Sequence, residues 1–159
     1  MEKQTIKLND IYPIIKEQIE SGGTVDLPIK GTSMLPLLYQ GRDFVKLQKC
    51  ENANIGDIIF YRRDNGQFVL HRIGGKDENG YILCGDNQWV KEFGIEDRHI
   101  IAVVTSINRK GKFLSLSSKG YMAYCNLWQK ILPVRRPLIL VINKIITIKM
   151  SISRHIGKR

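Results

Sequence analysis

The chain has 159 residues, of which 43% are hydrophobic and 25% are charged. This length suits one domain with one core, and the proportions argue against wholesale disorder. Residues 1–97 hold all 15 acidic residues with 12 of the basic ones, whereas residues 98–159 hold the other 13 basic residues and no acid, so the formal net charge of +10 belongs to the C-terminal part.

The N-terminal stretch MEKQTIKLNDIYPIIKEQIE carries charges every few residues and lacks the apolar core of a secretory signal peptide. We therefore expect this end to stay in the cytoplasm. Four isoleucines recur at near-helical spacing and Gly22-Gly23 follow them as a stop: Ile11, Ile14, Ile15 and Ile19. The pattern predicts a short amphipathic helix over 9–21.

From residue 24 onward, short apolar runs alternate with turns that contain glycine. Such runs predict β-strands, here at 24–30, 43–48, 57–63, 67–73, 81–85 and 100–109. Asp64-Asn65-Gly66 joins the third run to the fourth, and these residue types accept positive φ, which predicts a hairpin. A second turn over 74–80 leads into the fifth run. The sequence predicts a mostly β domain over 1–118 with a short N-terminal helix.

Residues 119–159 mix bulky apolar residues with Lys and Arg, and Pro133 and Pro137 are expected to break the segment. Its longest strictly apolar run, 137–142, is far shorter than the roughly 18 residues that span a bilayer. A cationic, apolar segment without acid suits the surface of an anionic membrane. The alternatives are a helix or strand packed on the domain, and a patch that binds nucleic acid or an acidic partner.

The three cysteines are Cys50, Cys84 and Cys125, an odd number at wide spacing without a CxxC pair. This pattern predicts reduced, partly buried thiols and indicates neither a disulfide framework nor a thiolate metal site. No cofactor is expected.

The stretch KGTSMLPLL, residues 30–38, places Ser33 between a glycine and an apolar run. A serine hydroxyl is a poor nucleophile unless a base takes its proton, so a functional role requires a partner. His71 is the best candidate, because it shares a strand face with Val69 and Ile73. Apolar neighbours would hold the imidazole in one orientation and keep its pKa low enough for a neutral base. A histidine so placed is also common as a satisfied core residue.

Asp86, in CGDNQ, follows a glycine at the end of a predicted strand. A carboxylate here would accept the second imidazole N–H, fix the tautomer and stabilise the imidazolium. Asp-Asn after Gly is equally the composition of an ordinary turn. Both interpretations stay open from the residue types alone.

The order of these blocks resembles the signal peptidase and LexA-like serine peptidase superfamily. The matching blocks span roughly residues 24–107: GTSMLPLL, GRDFVKL, IGDIIFYRR, FVLHRIGG, LCGDN and IIAVVTSI. The resemblance implies a coiled β fold of the LexA/signal peptidase type. His71 stands where other branches carry a lysine base. In this respect the chain resembles the histidine-base branch, which includes the endoplasmic-reticulum signal peptidase.

The resemblance implies a serine endopeptidase that cleaves a leader or precursor peptide after small residues, through an acyl-enzyme. Ser33 would be the nucleophile, His71 the base and Asp86 the assisting acid. The remaining site residues implied are those of the nucleophile loop: Gly31 and Thr32 near the oxyanion, Met34 and Pro36 fixing the loop, and Leu35 lining the groove, with simple packing as the alternative for the last three. The peptide would bind as an added strand, and no specific nucleic acid is expected.

Two features depart from the family pattern. Gly31 lies two residues before the nucleophile, where signal peptidases commonly carry a hydroxyl that donates to the oxyanion. The 32 residues before Ser33 offer neither an apolar anchor nor a DNA-binding domain. We expect a compact cytoplasmic protein held peripherally at the inner membrane face by 119–159, and no autocleavage, although SGG at 21–23 would be a site for it. The alternatives are a non-catalytic peptide-binding or scaffold descendant, and a protein that acts through its basic C-terminal part.

Overall fold

The computed structural model describes residues 8–156, and the side chains of residues 8–148. Within this range the chain forms a mostly antiparallel β structure with eight strands and three α-helices. In chain order the elements are α1 (Leu8–Glu20), β1 (Val25–Pro28), β2 (Phe44–Gln48), β3 (Ile58–Arg62), β4 (Phe68–Asp77), β5 (Gly80–Cys84), β6 (Glu92–Ile95), β7 (Ile100–Arg109), β8 (Lys112–Leu114), α2 (Lys119–Lys130) and α3 (Arg135–Ile156). Short 3₁₀ turns cover Asp97–His99 and Leu132–Val134.

The strands form one open sheet in the order β1-β2-β7-β3-β4-β5-β6, and β8 pairs with the end of β7. Every pair of neighbours is antiparallel. β3 lies near the middle of the sheet, and its residues Ile58, Ile59, Phe60 and Tyr61 are all buried. A strand covered on both faces reads as a continuous apolar run, which is the pattern of residues 58–61.

The predicted N-terminal helix is confirmed as α1. Gly22 has φ +83° and donates its N–H to the Ile19 carbonyl, and the Gly23 N–H bonds the Gln18 carbonyl. These two hydrogen bonds form a Schellman motif, for which a glycine in the left-handed region is the usual residue. Ile15 and Ile19 are buried, so the helix packs on the sheet through this side.

All six predicted strands are present, and the β3–β4 hairpin is confirmed, with the Arg63 N–H bonded to the Gln67 carbonyl across the turn. The strands β6 and β8 were not predicted. The expected turn over 74–80 is shorter than predicted, because β4 continues to Asp77. A bulge between Ile73 and Gly75 keeps the glycine pair within the ladder.

The apolar interior is divided between the two faces of the sheet, where one core was expected. The first face packs against α1, α2 and the loop after Ser33, and its buried members include Ile15, Leu38, Val45, Leu47, Phe60, Val104, Ile107 and Tyr121. The second face carries Ile59, Tyr61, Ile73, Tyr81, Leu83 and Ile95. β3 contributes alternate side chains to both clusters and so anchors the two halves of the core.

The described part of the C-terminal segment, residues 119–156, is mostly helical. Ser118 caps α2 by accepting a hydrogen bond from the Tyr121 N–H. The helix buries Tyr121 and Cys125 against the sheet, and it buries Trp128 beside the turn after β5, where Trp128 Nε1 donates to the Asp86 carbonyl. Pro133 lies in the 3₁₀ turn that separates α2 from α3, as a breaking residue should. The prediction that Pro137 breaks the segment is wrong, because this residue lies in the first turn of α3. The N–H groups of a first turn have no partner within the helix, so a proline there removes no hydrogen bond.

Candidate active site

Ser33 and His71 line the same groove, which has a volume of about 570 Å³. The loop 28–34 forms one wall, the first residues of β4 form the other, and α1 and the turn after β5 complete it. Gly31, Thr32 and Met34 also line the groove, so most of the predicted nucleophile loop is brought to one place. Among the described residues, no hydrogen bond joins the Ser33 hydroxyl to the His71 imidazole.

The loop that carries Ser33 is anchored to the hydrophobic core by the residues that follow the serine. Met34 is buried beside Leu37 and Leu38, and the Leu35 N–H bonds the Thr32 carbonyl at 3.2 Å. Gly31 has φ +78°, a left-handed conformation that favours glycine. This backbone requirement explains why no hydroxyl side chain stands at the position two residues before Ser33.

Leu35 and Pro36 belong to the supporting structure. Leu35 is 6% exposed and does not line the groove, and the Pro36 carbonyl accepts a hydrogen bond from Arg109 Nη2 at 3.2 Å. The expectation that Leu35 lines the groove is therefore wrong. Packing under the loop, the alternative considered for these residues, describes them better.

The turn after β5 packs directly against the loop that carries Ser33. The Asn87 N–H bonds the Ser33 carbonyl at 2.7 Å, and a Cβ on Gly85 would lie 2.6 Å from the same oxygen. Only glycine permits this approach at position 85. Asn87 lines the groove, and its side-chain Oδ1 is buried without a hydrogen-bond partner in the described structure. The CGDNQ block thus contributes Gly85 and Asn87 to the site, which sequence reasoning missed by attending only to its acid.

His71 is oriented by Tyr61. The β3–β4 register places His71 opposite Ile59, so Tyr61 is its diagonal neighbour on the same face. The Tyr61 hydroxyl donates to Glu92 Oε2 at 2.7 Å, and its oxygen lies 3.2 Å from His71 Nδ1. Since that hydroxyl proton is already given to Glu92, the Tyr61 oxygen accepts from His71 Nδ1–H. The lone pair of the imidazole is then on Nε2, the nitrogen that a general base uses toward a serine.

Glu92 anchors this chain of hydrogen bonds. Arg63 donates to both of its oxygens, at 2.7 and 2.6 Å, and Oε2 lies 3.9 Å from His71 Nδ1. Burial by itself raises the pKa of Glu92, but the hydrogen bonds from Arg63 and Tyr61 outweigh it and hold the pKa below its ordinary value. Glu92 is therefore a carboxylate at neutral pH, and it is linked to the imidazole of His71 through the Tyr61 hydroxyl.

The imidazole of His71 is neutral at physiological pH. Burial lowers its pKa to about 4, and the nearby charge of Glu92 opposes this only in part. Burial and the Glu92 carboxylate together raise the pKa of Tyr61, which keeps its hydroxyl protonated. The sequence-based expectation of a neutral base at position 71 agrees with the direction of this shift.

Asp86 lies in a different set of contacts from the one predicted. Both of its oxygens are bound by Arg72, at 2.9 and 2.7 Å, and Tyr124 donates to it at 3.0 Å. No hydrogen bond joins it to His71 among the described residues. Successive residues of a strand face opposite ways, so the partner of Arg72 lies on the other face from His71. Glu92, acting through Tyr61, occupies the orienting position that the sequence interpretation gave to Asp86.

A stretch of β4 beside the site has an open edge. β5 pairs with β4 only from Arg72 onward, so among the described strands Phe68–His71 have no neighbour on that side. The Ile73 N–H bonds the Asp57 carbonyl on the β3 side, so the alternate residues, Phe68 and Leu70, direct their N–H and C=O groups toward the groove. These are the groups that an added strand would pair with.

Removing the Tyr61 hydroxyl tests the hydrogen-bond chain. In the wild type we expect the neutral His71 proton on Nδ1, and in Tyr61→Phe a mixture of tautomers, because Nδ1–H loses its acceptor. Imidazole ¹⁵N resonances at neutral pH report the tautomer. Tyr81→Phe is the matched control, since its buried hydroxyl bonds Asp97 and not His71. A proton on Nε2 in the wild type would contradict the assignment.

No cluster of three or more His, Cys, Asp or Glu side chains within the described part of the chain is arranged to hold a metal ion. Cys50, Cys84 and Cys125 are free thiols, of which the last two are buried. No helix among residues 8–156 is long and apolar enough to cross a membrane.

Comparisons of the chain with protein families, with curated proteins and with solved structures found no match.

Proposed function

We propose that the chain is a serine endopeptidase of the signal peptidase type, built on a coiled β fold of the LexA/signal peptidase kind. The observation that carries the proposal is the shared groove. One wall presents Ser33, and the other presents a neutral His71 whose Nδ1 proton is bound by Tyr61. Serine hydrolases need this combination of an accessible hydroxyl and a neutral imidazole with a free Nε2.

The reaction would proceed through an acyl-enzyme. His71 Nε2 takes the hydroxyl proton as Ser33 Oγ attacks the peptide carbonyl, and the proton then passes to the leaving amine. Water, deprotonated in turn by His71, releases the acyl group. The positive charge that develops on His71 is stabilised by the Glu92 carboxylate, 3.9 Å from Nδ1.

The oxyanion would be held by two donors from different parts of the chain. The backbone N–H of Ser33 is the first. The carboxamide of Asn87 is the second, because Asn87 is tied to the Ser33 carbonyl and lines the same groove. It takes the place of the hydroxyl that Gly31 does not carry. An imidazole with a pKa of about 4 is a weak base at neutral pH, so we expect turnover to be slow.

The substrate would be an extended peptide, such as a leader or precursor. Its backbone would add to the edge of β4 at Phe68–His71, where the backbone groups of Leu70 point toward the groove. This placement runs the peptide between β4 and the Ser33 loop. A preference for small residues beside the cleaved bond follows from the family resemblance alone.

A fluorophosphonate probe tests the proposal without knowledge of the substrate. We expect a covalent adduct that peptide mapping assigns to Ser33, and no adduct after heat denaturation, because only the folded groove activates the hydroxyl. Ser117→Ala is the control, since it removes an exposed serine and should leave labelling unchanged. Labelling absent from Ser33, together with retained binding of extended peptides, would favour a non-catalytic peptide-binding protein that uses the same groove.

A further inference from the structure

In the described structure, the start of helix α3 packs against the rest of the protein, and the helix then continues past this contact. Arg135 and Ile139 are buried at its start. Among the described side chains of 140–148, none is buried, although this stretch is rich in leucine, isoleucine and valine. An apolar helix that the fold leaves uncovered is expected to meet another apolar surface.

Five large apolar residues of α3 are exposed among the described side chains; four of them follow a regular spacing, and the fifth, Leu140, lies on another side of the helix. Leu138, Val141, Ile145 and Ile148 are all exposed, and they recur at intervals of three and four residues, which places them along one side of the helix. Ile139, the buried residue, lies away from this side. We call these four residues the outer apolar stripe. The helix therefore presents a continuous apolar surface directed away from the domain.

The charge around the stripe has one sign. Residues 98–159 contain 13 basic residues and no acid, and Arg136 and Lys144 lie exposed on α3 itself. A second copy of the chain placed against the stripe would bring like charges together, which opposes association. An anionic surface would gain from the same charges, and a fluid apolar interior would accept the stripe without a shaped partner.

We propose that α3 docks on the surface of an anionic lipid bilayer, with the outer apolar stripe inserted at the level of the headgroups and the basic side chains bound to lipid phosphates. The helix lies along the surface, in keeping with the absence of a membrane-spanning helix among the described residues. This inference does not depend on the peptidase proposal, because it uses no residue of the groove.

Vesicle sedimentation of the full chain tests the docking. We expect binding to vesicles of equal parts phosphatidylcholine and phosphatidylglycerol at low salt, weaker binding at high salt, and little binding to phosphatidylcholine alone. The double variant Val141→Asp/Ile145→Asp should lose at least about tenfold in affinity, because it places charges in the apolar stripe. The matched control is Ile14→Asp/Phe113→Asp, which changes two exposed apolar residues on α1 and β8 and should bind like the wild type.

Several results would overturn the proposal. These are equal binding by the two double variants, equal binding to both kinds of vesicle, and no binding at low salt. Self-association without lipid that Val141→Asp/Ile145→Asp abolishes would assign the stripe to a second copy. Tighter, stripe-dependent binding to an acidic amphipathic peptide than to vesicles would assign it to a protein partner. Circular dichroism checks that both double variants keep the wild-type fold.

Discussion

Replacing His71 with alanine is expected to lower the rate of Ser33 acylation by about 10³-fold. The hydroxyl then has no base in the groove, while the Ser33 loop, held by Met34 and by Asn87, keeps its position. The rate is measured with an activated ester or the fluorophosphonate probe under single-turnover conditions. Added imidazole should restore part of the rate, because the cavity left by the ring faces the groove.

The matched control for this variant is His99→Ala. His99 is also a buried histidine, but its nitrogens bond the Glu96 N–H and Asp64, outside the groove. Its acylation rate should match the wild type. Wild-type acylation by His71→Ala would remove His71 from the mechanism, whatever the behaviour of Ser33.

The pH dependence of acylation follows from the same residue. A general base works in its deprotonated form, so the rate should fall as pH drops through the His71 pKa of about 4 and stay level above it as far as His71 is concerned. An inflection near the ordinary histidine pKa of about 6.5 would show that the ring is less buried than the structure describes.

Replacing Asp86 with alanine is expected to lower the free energy of unfolding by about 3–5 kcal/mol. The change leaves the buried guanidinium of Arg72 without its counterion, and it removes the acceptor of the Tyr124 hydroxyl. Burial alone would lower the pKa of Arg72, but the charge of Asp86 raises it above its ordinary value, so the arginine stays charged and its desolvation is uncompensated in the variant. Urea denaturation measures the loss.

Two further variants make this result specific. Glu20→Ala removes one partner of an exposed helical ion pair with Lys16 and should cost less than about 1 kcal/mol. Arg72→Met/Asp86→Leu removes both buried charges and should recover much of the loss. A stable Asp86→Ala variant with strongly reduced acylation would contradict this structural role and restore the predicted role of Asp86 as the orienting acid.

Most of the strands were predictable because their signals are local. An apolar run such as residues 58–61, followed by Asp64-Asn65-Gly66, specifies two strands and a turn within a few residues. β6 was missed because residues 92–95 contain a glutamate and a glycine and show no apolar run. The sequence does not distinguish helix from strand for the C-terminal segment, and the break that Pro137 predicts is absent because the first turn of a helix tolerates proline.

The residues of the candidate site also differ in whether a local sequence signal predicts them. Ser33 and His71 could be proposed from residue type and neighbours, and the hairpin register, once its turn is known, also places Tyr61 near His71. Glu92 could not be found in this way. It reaches Tyr61 across 31 positions of sequence, through a strand that no local pattern predicts.

By itself, the sequence determined the strand pattern, the capped helix α1 and the loop that presents Ser33, because turn residues and apolar periodicity act over a few neighbouring positions. Only the tertiary structure decided which carboxylate is linked to His71 through hydrogen bonds. The alternation of side chains along β4 directs Arg72 and its partner Asp86 to one face and His71 to the other. Which carboxylate then reaches His71 depends on long-range strand pairing, which brings Glu92 of β6 to Tyr61 and so completes the chain of hydrogen bonds.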